Sequence, residues 1–350
     1  MIIDEKYLDS IEITPLMDTL RLQKIDDAEY FSEKFSGYIS NSRLSLLNPY
    51  QDNDPEAFFE GLSKHNKYSD ALIFGSAVHQ LVLQPESFIL VDNVNRPTAK
   101  AGFMADELYP LFEANGVVTA DEIIAASNKI DYYKGKMDAD KMETLRIKCE
   151  DYYAQRRAYE WGSKYVDDKV PIYLDPKSRE RVLQCVEALK RNKSIQKLLH
   201  PKGIVVEPIS ENEQAILLDV QVKVPEYEPF IFRIKAKLDN YTIDTESNVV
   251  VVNDVKTIGK ILSEFGNNFE KFHYHRELSL YSWLMTLVAD KFYGMKNCSV
   301  QSNCLVVSTI PDYYTKVYKL SKADFNKGWN EFKFLLRLAA HYYSKGYRFD

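Results

Sequence analysis

Two neighbouring stretches decide the fold: FRIKAKLDNYTI at residues 232–243 and NVVVVNDVKT at 248–257. In the first stretch, apolar side chains alternate with polar ones and lead to Asp239, which is the pattern of a half-buried strand. The second stretch is an apolar run with a charged end, as expected for a buried strand. Fourteen residues separate Asp239 from Asp254, enough for a turn and a return strand.

The surrounding chain predicts an α/β or α+β core preceded by a helical elaboration, in one domain over residues 1–350. Periodicity predicts further strands, GIVVEPI at 203–209, QAILLDVQVKV at 214–224 and CLVVSTI at 304–310, and helices at 68–84, 119–165, 176–200, 268–289 and 322–344. Residues 100–200 form the predicted helical elaboration. Residues 203–350, joined by the helix within 68–88, form the predicted core.

Composition excludes several classes of protein. The chain has 350 residues, of which 45% are hydrophobic and 27% charged, and it contains no apolar run long enough for a membrane span. Its first residues do not resemble a secretory signal, and its four cysteines do not suggest a disulfide scaffold, so a reducing compartment is expected. A net charge of -6 argues against a protein held to nucleic acid by bulk charge, but not against a nuclease with a local basic groove.

The sharpest candidate site lies at the end of the second strand. Residues two apart on a strand face the same side, so Asp254 and Lys256 should project together, with Asp239 brought alongside by the neighbouring strand. Two carboxylates hold Mg²⁺ or Mn²⁺, and an ammonium beside them suits phosphodiester hydrolysis. The alternative is a plain ion pair at a solvated strand end.

A histidine in the helix at 68–84 is a candidate metal ligand. His79 follows Gly75 by four residues, so a small residue leaves room beside the imidazole on one helical face. The alternative is a packed or capping histidine on a mostly apolar helix.

The segment FHYHRELSLYSWLM, residues 272–285, supplies further candidates. Glu277 and Tyr281 are four residues apart and share a helix face, where a carboxylate and a phenol could lie near a metal and a phosphate. Arg276 and His275 are expected to meet a backbone phosphate. The alternative is a surface glutamate on a helix whose other face is core.

Together these segments resemble the PD-(D/E)XK nuclease superfamily, and within it the RecE-type (exodeoxyribonuclease VIII) branch of phages and prophages. The resemblance runs from about residue 40 to the C-terminus. It is carried by four blocks in order: NSRLSLLNP at 41–49, ALIFGSAVHQLVLQPESF at 71–88, FRIKAKLDNY followed by VVVVNDVKT, and YHRELSLYSW at 274–283. Residues 100–165 match no known block.

The resemblance implies a role for individual residues. It makes His79, Asp239, Asp254 and the carbonyl oxygen of Val255 the metal ligands, Lys256 the catalytic lysine, and Tyr281 the family tyrosine. Glu277 stands where the family usually has glutamine, which adds a negative charge near the metal. An upstream family glutamate is matched by Glu207, or by Glu211 or Glu213.

The resemblance also implies a PD-(D/E)XK core, with a central mixed sheet flanked by helices, and a Mg²⁺-dependent or Mn²⁺-dependent exonuclease that degrades double-stranded DNA ends from 5′ to 3′. It implies phage-type recombination in the cytoplasm of a bacterial host, beside a single-strand annealing protein, and a homo-oligomeric ring of three or four subunits.

Three alternatives compete with this interpretation. Related helicase-associated and CRISPR-associated nucleases carry an iron–sulfur cluster with one cysteine before the core and three after it. Here the order is two and two, so no cluster is predicted: Cys149 and Cys185, then Cys298 and Cys304. The second alternative is an endonuclease with the same site. The third is a non-catalytic DNA-binding protein that retains the fold.

Overall fold

The computed structural model describes residues 5–49, 54–60, 69–132, 138–163, 168–202 and 207–349. The strands in this part of the chain are β1 (Glu12–Pro15), β2 (Arg21–Lys24), β3 (Tyr38–Ile39), β4 (Phe88–Leu90), β5 (Val170–Ile172), β6 (Ile209–Lys223), β7 (Phe230–Asp244), β8 (Val249–Ile258), β9 (Ser299–Ser308) and β10 (Thr315–Lys319).

The α-helices in the same ranges are α1 (Glu5–Asp9), α2 (Asp27–Tyr30), α3 (Asn41–Leu44), α4 (Pro55–Glu60), α5 (Asp70–Leu83), α6 (Ala99–Asn115), α7 (Ala120–Ile130), α8 (Ala139–Ser163), α9 (Pro176–Arg191), α10 (Lys193–Leu199), α11 (Phe265–Lys271), α12 (Tyr274–Tyr293) and α13 (Lys322–Ser344). None of these helices is both long enough and apolar enough to cross a bilayer.

The chain divides into two compact units, residues 1–65 with 189–350 and residues 66–188. The second unit contains α5 to α8, most of α9, and the parallel strand pair β4–β5. Its core gathers apolar side chains of α6, α7 and α8, including Phe103, Leu108, Ile123 and Tyr152. The predicted helical elaboration at 100–200 overlaps this unit, and a single domain over the whole chain stays a prediction.

The first unit is built on a mixed sheet with the order β1–β6–β7–β8–β9–β10, to which β2 adds by pairing β6 and β3 by pairing β7. The pairs β8–β9 and β3–β7 are parallel and the others are antiparallel. Helices α11 and α12 connect β8 to β9, as a parallel pair requires a crossover. The unit is therefore α/β, with a large mixed sheet flanked by helices.

Helices pack on both faces of this sheet. The Asn253 amide on β8 reaches the carbonyl oxygen of Leu198 at the end of α10 (3.1 Å), whereas Lys256 on the same strand contacts α12. Residues three apart on a strand point to opposite faces, so α10 and α12 lie on opposite sides. Against α12, α13 approaches very closely: a Cβ on Gly328 would lie 2.2 Å from the carbonyl oxygen of His275, so only glycine fits there.

Most predicted core elements agree with the structure. The last predicted helix, 322–344, coincides with α13, which begins in a capping box of Ser321 and Asp324. Strand β9 begins five residues before the predicted 304, and β10 was not predicted. Of the predicted strand 203–209, residues 203–206 lie outside the described ranges, and β6 begins at Ile209.

Candidate active site

The candidate site lies where strands β7 and β8 part. Their pairing runs from Asp244↔Val249 to Asn240↔Asn253 and ends there, while β7 continues beside β6 and β8 continues beside β9. Asp239 and Asp254 are the first residues beyond the last pair. The fork therefore presents two acidic side chains from adjacent strands where no interstrand ladder fills the space between them.

A row of asparagines spans the sheet next to this fork. Side-chain amides on four adjacent strands form a chain of hydrogen bonds. Asn303 Nδ2 donates to Asn253 Oδ1 at 2.9 Å, Asn253 Nδ2 donates to Asn240 Oδ1 at 2.7 Å, and Asn240 Nδ2 donates to Asn212 Oδ1 at 2.8 Å. Three of the four are buried. Buried amides that satisfy one another specify a unique register. Each of these asparagines is next in sequence to a residue at the fork or beside it. These neighbours are Glu213, Asp239, Asp254 and Cys304.

Asp254 and Lys256 contact each other directly. The Lys256 Nζ lies 2.9 Å from Oδ1 and 2.8 Å from Oδ2 of Asp254. Asp254 is 2% exposed, so the pair is not at a solvated strand end. The Cys304 thiol on β9 lies beside the same carboxylate, with Sγ 4.0 Å from Oδ2.

Helix α12 brings Glu277 and Tyr281 to the same lysine. Glu277 Oε2 lies 3.2 Å from the Lys256 Nζ, and the Tyr281 hydroxyl donates to Glu277 Oε1 at 3.2 Å. Burial raises the pKa of Tyr281 well above its usual value, so its phenol stays protonated and remains a donor. Glutamate at position 277 thus places a carboxylate in direct contact with the ammonium group.

Asp239 is held at the fork by the neighbouring strand. Its Oδ2 accepts a hydrogen bond from the backbone N–H of Val255 at 2.7 Å. Val255 is buried, and the role of its carbonyl oxygen as a ligand stays a prediction. On the other side of Asp239, a carboxylate oxygen of Glu213 lies within 4.8 Å of an oxygen of Asp239.

Glu213 is the upstream acid that the fold brings to the fork. Glu207 and Glu211 are exposed, whereas Glu213 is half-buried. It lies across from Asp239, at the position between the pairs Asn212↔Asn240 and Gln214↔Leu238 of the β6–β7 register. Its backbone φ is +55°, an uncommon value for a non-glycine residue. Its carboxylate also lies 3.0 Å from the Nζ of Lys237, which pairs with Asp27 at 2.5 Å.

The cluster carries more negative than positive charge. The carboxylates of Glu213, Asp239, Asp254 and Glu277 face two ammonium groups, those of Lys237 and Lys256. Burial raises the pKa of the Asp254 carboxyl; Lys256 opposes that shift, while Glu277 and Asp239 reinforce it. A divalent cation would relieve this repulsion, and carboxylate oxygens are the ligands that Mg²⁺ prefers. The residues present therefore fit a hard divalent metal.

His79 lies on α5 in the second unit and is half-buried. The acids and lysines around the fork of β7 and β8 all belong to the first unit. The assignment of His79 as a metal ligand stays a prediction.

The expected phosphate contacts of Arg276 and His275 are wrong. Both side chains are buried, with relative exposures of 0% and 1%. The Arg276 guanidinium donates to Asn41 Oδ1 at 2.7 Å, to Ser45 Oγ at 2.5 Å and to Glu331 Oε1 at 2.8 Å. These contacts tie the first turn of α12 to α3 and α13, so Arg276 positions the helix that carries Glu277.

Glu331 on α13 is the centre of this second cluster. Its carboxylate oxygens lie 2.8 Å from His273 Nδ1 and 2.9 Å from His275 Nε2, besides the contact with Arg276. Burial alone would raise the pKa of Glu331, but the contacts with the two histidines and the charge of Arg276 outweigh it and hold that pKa well below its usual range.

Glu331→Gln is expected to lower the free energy of unfolding by about 3 kcal/mol at pH 7, because it leaves the buried Arg276 without its anion. A carboxyl with a lowered pKa stabilises the fold above its unfolded pKa, here near 4.5, and loses that contribution as the pH falls. The difference between the two proteins should therefore shrink below about pH 4.5. Urea unfolding at pH 7 and pH 4 measures it.

Glu270→Gln is the matched control for that substitution. Glu270 also forms an ion pair with α13, through Lys327, but both partners are about half exposed. Its loss should cost about 1 kcal/mol or less. Equal effects of the two substitutions would show that Glu331 is not a buried anchor.

Comparison with known proteins returned distant structural matches. No family model and no curated protein matches the sequence. A crystal structure of a "putative exonuclease" from Eubacterium rectale aligns over 91% of this chain and 88% of its own, at 11% identity and a TM-score of 0.39. A protein from Vibrio cholerae aligns over 94% of this chain and 60% of its own, at 12% identity and a TM-score of 0.19.

Proposed function

We propose that this protein is a metal-dependent deoxyribonuclease with a PD-(D/E)XK core. The observation that carries the proposal is the contact of Lys256 with both Asp254 and Glu277, beside Asp239 at the fork of β7 and β8. Nuclease sites of this kind combine carboxylates that hold a hard cation with an ammonium that stabilises charge on the reacting phosphate.

Each residue has a separate part in the proposed chemistry. Asp239 and Asp254, with Glu213 or Glu277 beside them, would hold Mg²⁺ or Mn²⁺, which when bound polarises the phosphoryl oxygen and lowers the pKa of a bound water. Lys256 orients the attacking water and offsets the charge that builds on the phosphate. The resemblance also makes His79, already a candidate ligand from its helix, and the carbonyl oxygen of Val255 ligands of the metal, and the assignment of Val255 rests on the resemblance alone.

The charge state of Lys256 supports an electrostatic role. Burial alone would lower the pKa of its ammonium, but Asp254, Glu277 and Asp239 outweigh that effect and raise the pKa well above the usual value. Lys256 is therefore cationic across the neutral range. In the absence of a metal it acts as a fixed positive charge and a hydrogen-bond donor, and it is poorly suited to accept a proton.

We further propose that the substrate is the end of linear double-stranded DNA, degraded from 5′ to 3′ in phage-type recombination. This finer proposal rests on the resemblance to the RecE-type branch, as do the cytoplasmic location in a bacterial host, the annealing-protein partner and the ring of three or four subunits. The proposed absence of an iron–sulfur cluster rests instead on the order of the four cysteines, two before the core strands and two after them.

The deciding experiment compares end-labelled linear duplex with closed circular duplex, each incubated with the protein in Mg²⁺, Mn²⁺ or EDTA. Loss of the linear DNA alone, and only with metal, is the expected result. Nicking of the circles would favour the endonuclease, which uses the same residues on internal phosphates. Intact DNA under every metal would contradict the enzymatic proposal and favour the DNA-binding alternative.

A further inference from the structure

An exposed aromatic ring lies close to the candidate site. Phe272, between α11 and α12, is 49% exposed, and its ring packs on that of Tyr274, with centroids 5.8 Å apart and planes tilted by 36°. A single exposed phenylalanine is ordinary on a protein surface. This one is distinguished by the ring beneath it, because Tyr274 also lies against the proposed catalytic lysine.

Tyr274 connects the surface ring to the site. The Lys256 Nζ lies 4.8 Å from the centroid of the Tyr274 ring. The two contacts, of 4.8 and 5.8 Å in series, place the Phe272 ring within about 11 Å of the Nζ. Bases of a duplex strand follow one another at about 3.4 Å. The ring is therefore within reach of the first few nucleotides beside a phosphate bound at Lys256.

The Tyr274 ring is itself fixed in place. It stacks on Phe265, with centroids 5.9 Å apart and planes tilted by 20°, and Phe265 packs on Tyr318 at 4.5 Å. The Tyr318 hydroxyl donates to the carbonyl oxygen of Leu262 at 2.6 Å. Phe272 thus rests on a supported aromatic layer, which makes it a rigid platform.

The backbone beside Phe272 is also held. His273 has a φ of +53°, in the left-handed region that non-glycine residues seldom adopt. Its imidazole lies between Glu331, 2.8 Å from Nδ1, and the Asn48 amide, 3.2 Å from Nε2. Such a conformation persists where the surroundings determine it, and it often marks a functional position.

A positive charge accompanies the ring. The Nζ of Lys271 lies 5.4 Å from the Phe272 centroid, and Lys271 is exposed. An aromatic face beside a lysine is the pairing that single-stranded nucleic acid uses, with the base on the ring and the phosphate near the ammonium.

We propose that Phe272 stacks on an unpaired nucleobase at the end of the DNA and so holds the strand in the site. This inference rests on the proposed nuclease function and names a binding residue for it. Stacking on an aromatic side chain is sequence-tolerant, because every base presents a π-face. Phe272 should therefore favour frayed or overhanging ends without selecting a particular base.

The test is a titration of duplex DNA that carries 2-aminopurine at the end of a short overhang, in Ca²⁺, with a gel confirming that the DNA stays intact. Stacking on Phe272 should quench the probe. Phe272→Ala is expected to lose the quenching and to raise Kd about tenfold. Phe272→Trp should retain both properties.

Phe292→Ala is the matched control. Phe292 is 47% exposed and lies near the far end of α12, so its loss removes an equally exposed ring away from the site. Unchanged quenching and Kd in Phe272→Ala, with wild-type protein that binds and cleaves DNA, would overturn the stacking role. Wild-type protein that neither binds nor cleaves DNA would instead contradict the proposed function.

Discussion

Asp254→Asn is expected to abolish metal-dependent DNA cleavage, lowering kcat by about a thousandfold or more, equal to about 4 kcal/mol of barrier. The asparagine keeps the size of the side chain but removes the negative charge between Lys256 and the fork. Metal binding should weaken as well, because a carboxylate of the proposed ligand set is lost. Single-turnover cleavage of end-labelled duplex over a range of Mg²⁺ concentrations measures both effects.

The same substitution should leave the metal-free fold intact. The raised pKa of Asp254 means that its charged form opposes folding, and stability falls as the pH rises above the unfolded value of 3.8. Neutral asparagine avoids this cost, and Glu277 remains as a partner for Lys256. The melting temperature in EDTA is therefore expected not to fall at pH 7.

Asp244→Asn serves as the control on the neighbouring strand. Asp244 ends β7, where its carboxylate accepts backbone N–H groups of Glu246 and Ser247 at a turn. The Asp244→Asn variant should cleave DNA at the wild-type rate. Full activity in Asp254→Asn would remove this carboxylate from the mechanism and reduce the Asp254–Lys256 contact to a structural ion pair.

The local pattern of the chain was enough to predict the strands that carry the site. Alternation over 232–238 and the apolar run at 249–252 specify β7 and β8, and the two-residue period places Asp254 and Lys256 on one face. These inferences succeed because side chains alternate between the two faces of a strand as long as the strand is uninterrupted, as β8 is from Asp254 to Lys256.

The alternation does not continue past Asp239, and its shift could not be predicted. The β7 residues of the core cluster are even-numbered up to Leu238 and odd-numbered from Tyr241 onward. The shift coincides with the positive φ of Glu213 on the facing strand and with the end of the β7–β8 pairing. It depends on how three strands twist apart, which a single strand's pattern does not contain.

The sequence contains enough information to predict that Glu213, and not Glu207, is the upstream acid beside Asp239. Pro225 and Pro229 mark the turn between β6 and β7, and counting outward from it places Asp239 opposite residues 213–215. Glu213 is the acid in that window. The apolar run around Glu207 points to a strand, but only the geometry of the hairpin tells which acid faces Asp239.

Contacts between segments far apart in the chain could not be predicted from the sequence. Arg276 was expected at a phosphate because a lone arginine beside a candidate site suggests one. Its partners Asn41 and Ser45 lie more than 200 residues away in the chain. Likewise, an asparagine on each of four strands is unremarkable in the sequence, and the hydrogen-bonded row appears only when the strands align in register.

Lys256→Met is expected to reduce kcat by about a hundredfold to a thousandfold while the protein still binds metal. Methionine fills much of the lysine volume but removes the charge that offsets the developing negative charge on the phosphate. Since Lys256 is not a ligand, the carboxylates at the fork should still take up Mn²⁺, and more tightly once a neighbouring cation is gone. Titration calorimetry with Mn²⁺ measures metal binding and the cleavage assay measures catalysis, so the two together show which of them depends on Lys256.

Lys260→Met is the matched control for Lys256→Met. Lys260 follows β8 by two residues, its side chain is 61% exposed, and its Nζ lies 3.6 Å from a carboxylate oxygen of Glu264, so the substitution should change neither Mn²⁺ binding nor cleavage. The expected contrast with Asp254→Asn is decisive, because the aspartate variant should show weaker Mn²⁺ binding together with the loss of cleavage, while in the lysine variant cleavage alone should fall. If both substitutions abolished Mn²⁺ binding, the lysine would hold the carboxylates in place, and the charge-stabilising role proposed for it would be wrong.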